Sequence, residues 1–129
     1  MKYGWTKTGR YEEAVHYAEK ALDFHEKFSE GNGVAPAYRA LATAAVRRRS
    51  PDWSSADRHL ESSVSAARQR GERPQLAITL LRRAELMKER GDQGDFRASL
   101  AASRRLFVDM RMPWWIEEAD RLSGEAPRS

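Results

Sequence analysis

Gly9-Arg10-Tyr11-Glu12-Glu13-Ala14-Val15-His16-Tyr17-Ala18-Glu19-Lys20-Ala21-Leu22 is the stretch that decides the fold class. Tyr11, Ala14, Val15, Ala18, Ala21 and Leu22 recur at spacings of three and four, which places them on one face of an α-helix and leaves no strand-like alternation. Working outward, the same spacing returns in Tyr38, Leu41, Ala42 and Ala45, in Ala56, Leu60 and Val64, and in Leu76, Leu80, Ala84 and Met87. It returns again in Leu100, Ser103, Leu106 and Phe107, and last in Trp115, Ala119 and Leu122. Breaks fall between these stripes, at Gly9, Gly31-Asn32-Gly33, Ser50-Pro51, Gly71, Gly91 with Gly94, and Gly124. Glycine there supplies left-handed helix ends, and Pro51 or Pro113 suits a first helical turn. Ser50 is the expected N-cap beside Pro51.

A shift of 42 residues lays the chain on itself. Tyr11 falls on Trp53, Ala14 on Ala56 and Ala98, Ala18 on Leu60 and Ala102, and Leu22 on Val64 and Leu106; Tyr38, Ala42 and Ala45 fall on Leu80, Ala84 and Met87. A fixed period of this kind predicts stacked helical hairpins, each burying its stripe against its neighbours. Ala14, Ala56 and Ala98 are expected at close helix crossings.

Gly9 to Val15 followed by Tyr17-Ala18-Glu19-Lys20-Ala21-Leu22 resembles the second half of a tetratricopeptide repeat: the turn glycine, the aromatic two residues later, the small alanine where helices touch, and the closing Ala-Leu. The second copy departs at Ser63 and the third at Arg105, where the family prefers alanine, and the period exceeds the family's 34 residues. The resemblance implies an all-α fold of antiparallel hairpins in a short right-handed solenoid. About two and a half repeats and a C-terminal capping helix would fill one domain over residues 1–124, with a frayed tail at 125–129. Met1 to Thr8 would close an opening helix with Trp5 at its aromatic position, leaving the face of Tyr11, Val15 and Leu22 partly uncovered for a homodimer. Leu106 to Leu122, with Pro113-Trp114-Trp115, further resembles the closing segment of such arrays in bacterial signalling proteins that carry a cyclase or AAA-type ATPase.

The 129 residues are 40% hydrophobic and 33% charged, a composition suited to one small folded domain rather than a disordered tail. No cysteine is present, which excludes disulfides, zinc–thiolate centres and thiol catalysis. The longest apolar runs, 41–46 and 76–81, are far short of the roughly 20 residues that span a bilayer, and the expected setting is the cytoplasm, with no membrane partner. Lys and Arg number 23 against 19 Asp and Glu, a net charge of +4. Residues 34–111 hold the cationic excess and both ends are acidic.

Candidate chemistry is sparse. His16, His25 and His59 lack the i,i+4 spacing of a metal-binding helical turn. Glu12-Glu13, Glu117-Glu118 and Asp92 with Asp95 fit positions at or near helix starts, where the dipole favours negative charge, better than an acid–base pair. Gly31-Asn32-Gly33 lacks the Lys-Ser/Thr of a phosphate loop, and Ser62, Ser63 and Ser65 read as a small contact face. The expectation is no enzyme activity, no cofactor and no metal. Trp115 is expected in the core of the cap, with Trp114-Trp115 as a base-stacking platform the weaker reading.

A tetratricopeptide array binds along its concave face, and the corresponding positions are Arg39, Thr43 and Arg47 in one hairpin and Leu81, Glu85 and Lys88 in the next. These form the candidate peptide-binding site, and its arginines suit a protein partner with an acidic segment. The alternative is a small nucleic-acid-binding domain using Arg47-Arg48-Arg49 with Arg82 and Arg83.

Overall fold

The computed structural model describes residues 7–28 and 33–124. The expectations for Trp5, for the breaks at 29–32 and for the tail at 125–129 lie outside them. Every described element is helical: α1 Lys7–Phe28, α2 Val34–Val46, α3 Trp53–Arg70, α4 Arg73–Arg90, α5 Gln93–Asp109 and α6 Pro113–Gly124. The chain divides into two compact units, Met1–Gln69 and Arg70–Ser129.

In the first unit α1 packs on α2, and α3 returns antiparallel to α2. Three contacts fix that return. The Asp52 amide donates to the Ala45 carbonyl at 2.9 Å, the Tyr38 and His59 rings stack 6.2 Å apart, and the Ser63 hydroxyl donates to the Ala35 carbonyl at 2.8 Å. Ala35, Ala42, Ala56 and Leu60 are fully buried or nearly so. Alanine predominates on α2, so its backbone can approach its neighbours closely. Ser50 is not the cap of α3. Asp52 is, its carboxylate accepting the Ser55 amide at 3.0 Å and the Ser55 hydroxyl at 2.8 Å, because a carboxylate reaches the unpaired amide and complements the dipole together.

In the second unit α4, α5 and α6 run antiparallel in succession. Gly91, at φ 88°, ends α4 in the left-handed conformation that glycine adopts without strain. Arg73 meets Asp109 at one end of the α4–α5 pair, and Arg83 meets Asp95 near the other. Phe107 is wholly buried and its ring lies 5.3 Å from that of Trp115, nearly parallel. Around it gather Ala77, Leu81, Ala84, Leu100 and Ala119, with Phe96, Met112 and Leu122 packed against them. The turn into α6 closes with Arg111 at φ 57° and the Met112 amide donating back to the Phe107 carbonyl.

The 42-residue offset relates buried positions of α2 to buried positions of α4: Ala35 to Ala77, Ala37 to Thr79, Ala42 to Ala84 and Ala45 to Met87. It fails on α5. Ala98 and Ala102 are exposed, whereas Ser99, Ser103 and Phe107 are buried, so α5 follows α3 at 43 residues. Ala98 therefore sits at no helix crossing, and Ala14 is only half-buried, leaving Ala56 alone of the three with no exposed surface.

Candidate functional site

The first unit carries a cleft of about 520 Å³ between α1 and the C-terminal half of α2. Leu41, Ala44 and Ala45 form its floor and Tyr11 and Val15 its α1 wall; Ser55 and His59 of α3 contribute the far side. The volume of the cleft lies within the range of small-molecule and peptide pockets, roughly 300–1,000 Å³.

Arg47, Arg48 and Arg49 form the rim. Arg47 caps α2, its amide donating to the Thr43 and Ala44 carbonyls at 3.1 and 3.2 Å. This holds the three guanidinium stems where the helix ends. Arg48 lies 3.7 Å from the Asp52 carboxylate, an exposed pair. Asp52 titrates below its ordinary value, chiefly because the Ser55 amide and hydroxyl bond its charged form. His59 is pushed down by burial and then by the neighbouring Arg58, which favours the neutral ring stacked on Tyr38. Glu12 and Glu19 line the α1 side, so the rim is cationic on α2 and anionic on α1.

The sequence-predicted positions are dispersed. Arg47 lines the cleft; Arg39 and Thr43 do not, and the Thr43 hydroxyl donates instead to the Arg39 carbonyl at 3.2 Å. Leu81 is not a groove residue at all, since it is 5% exposed and belongs to the core around Phe107. Glu85 accepts from Arg82 at 2.6 Å. Lys88 donates to the Leu122 carbonyl at 3.3 Å and stands over the Phe96 ring. Arg83 forks onto Asp95 with bonds of 3.0 and 2.9 Å, and Asp95 also accepts from Ser99. The Arg82-Arg83 pair is thus already neutralised by carboxylates.

Of the three carboxylate pairs, only Asp92 with Asp95 stands at a helix start, Asp92 accepting the Asp95 amide. Neither Glu12-Glu13 nor Glu117-Glu118 falls in a first turn; Glu118 pairs with Arg121. His16 touches the Tyr17 ring and His59 the Tyr38 ring, and among the described residues no three His, Asp or Glu gather where they could hold a metal. No described helix is long and apolar enough to cross a membrane. The feature that sequence reasoning missed is the apolar floor beneath the arginine triplet. Its only trace in the sequence is the alanine-rich run 40–45 just before that triplet.

No family model, curated protein or solved structure matches the chain.

Proposed function

We propose that the chain is a non-catalytic helical module of tetratricopeptide-like hairpins that binds another protein, and that the α1–α2 cleft receives an acidic, partly apolar segment of that partner. The observation that carries this reading is the arginine rim over an apolar floor. Guanidinium groups fork onto carboxylates while the floor takes an aliphatic side chain. The nucleic-acid reading draws less support, because Arg82 and Arg83 are engaged by Glu85 and Asp95.

Fluorescence anisotropy with a labelled peptide of interspersed glutamate and leucine tests it. Binding is expected, and Arg47→Ala with Arg49→Ala should weaken it about tenfold or more, since hydrogen bonds to charged groups contribute about 1.5–3 kcal/mol each. A labelled DNA duplex run alongside reads the rival, whose affinity would fall steeply with salt as counterions are released. Indifference of the peptide to both substitutions, or tighter binding of the duplex, would overturn the proposal.

A further inference from the structure

The face of α1 expected to be partly uncovered borders α2. Tyr11, Val15 and Leu22 are half-buried and line the clefts shared with α2. What α1 presents outward is a different stripe. Tyr17 is 63% exposed and Phe24 50%, two of the four large hydrophobic side chains most open to solvent among the described residues. With the half-buried Ala14 and Ala21 they form the series 14, 17, 21, 24, alternating steps of three and four. That is the spacing of a helix–helix seam, and none of its four residues lines the cleft.

We infer that the chain self-associates through this seam, α1 of one copy running antiparallel against α1 of a second. Size and charge both select this arrangement. About a two-fold axis that sets Tyr17 against Ala21 of the second copy, Phe24 falls against Ala14, so each aromatic meets an alanine. Glu13, Lys20 and Lys27 are exposed along one flank of the seam. The antiparallel pairing brings Glu13 to Lys27 of the second copy twice and Lys20 to its own counterpart once, whereas a parallel two-fold pairing sets this flank against the opposite one, which carries Tyr11, Ala18 and His25, and gains neither attractive pair. Within one copy, Glu13 and Lys27 stand about 21 Å apart along the helix axis, and Lys27 makes an exposed pair with Asp23 at 3.6 Å, a contact worth little that the intermolecular pair exchanges. One helix face is small beside a standard interface, so the dimer is weak and its population rises with concentration.

Sedimentation equilibrium of the whole chain from about 10 μM to about 1 mM tests the inference, a range that brackets weak association. The native chain should move from monomer toward dimer. Tyr17→Lys with Phe24→Lys should raise the dissociation constant about tenfold or more, from the apolar area lost. Glu13→Lys should raise it about fivefold, two exposed charge pairs being lost, and adding Lys27→Glu to Glu13→Lys should restore it. Circular dichroism of each variant establishes that the helices remain, and the charge reversal gives a second route should the lysine pair fail to fold. A monomer throughout the range, a dimer indifferent to the seam substitutions, or no restoration by the charge reversal would each overturn it. The seam and the cleft use different residues, so peptide binding and self-association fail independently.

Discussion

Two buried serines occupy opposite situations. The Ser63 hydroxyl donates to the Ala35 carbonyl across the α2–α3 contact, while the Ser103 hydroxyl is buried with no hydrogen-bond partner. A satisfied buried hydroxyl contributes about 1 kcal/mol, and an unsatisfied one costs at least as much through lost hydration. Both substitutions to alanine gain the same helix propensity, so their difference isolates the hydrogen bond. Ser103→Ala should raise the urea midpoint and Ser63→Ala should lower it, each by about 1 kcal/mol of stability. The opposite order in chemical denaturation would show that the Ser63 bond contributes nothing net. Ser63 also shows the limit of a family pattern, since a serine in place of the expected alanine reads as a degenerate repeat until the Ala35 carbonyl lies opposite it.

At the scale of elements, the six described helices were legible because apolar residues recur at three and four, and glycine marks the ends of α3 and α4, whereas Gly9, expected as a break, lies inside α1. The buried stripe of α5 was legible as well, since Leu100, Ser103 and Phe107 are buried as their spacing predicts, but its alignment on α3 was not. Ala98 and Ala102 aligned with Ala56 and Leu60 by letter, yet alanine loses little when exposed, so the actual buried row begins at Ser99 and ends at Phe107. The positional signal lay in Phe96, Leu100 and Phe107, whose larger side chains have more area to remove from water. The arginine triplet was legible as charge, but the cleft beneath it depends on the spacing of α1 from α2, which no single helix encodes. The α5–α6 pair illustrates the energetic ranking. Phe107 is fully buried, Trp115 is half-buried and stacks on it, and Trp114 is 60% exposed with its ring edge-on to Trp115. Phe107→Ala should cost about 3–5 kcal/mol, Trp115→Ala less, and Trp114→Ala under about 1 kcal/mol, with Arg47→Ala near zero. Thermal unfolding measures the series. A Trp114→Ala loss matching that of Trp115→Ala would contradict the exposure that separates them.

For the molecule as a whole, acid is the condition that acts on many of these contacts together. Asp95 titrates below its ordinary value of 3.8, chiefly because Arg83 bonds its charged form, with Ser99 adding a further hydrogen bond. Asp120 is lowered by Arg104 and Asp52 by Ser55. A carboxylate depressed on folding contributes stability that is fully present above its unfolded value and disappears as pH falls through its folded value. The window for all three therefore opens near pH 4 and extends downward. Loss of these pairs also coincides with growing net positive charge, since 23 Lys and Arg remain while 19 carboxylates are neutralised. Native stability should accordingly begin a shallow decline below about pH 6.5, where His59 takes up a proton more readily in the unfolded chain than in the folded one, and fall steeply below about pH 4. Asp95→Asn keeps the shape of the side chain but removes the charge that Arg83 and Ser99 bond. Its urea midpoint should lie below that of the native chain at pH 7, and the gap should close as pH approaches about 2, where Asp95 is itself protonated. A gap that stayed constant across the range would mean that Asp95 acts through packing alone and that the Arg83 fork adds nothing to the α4–α5 contact.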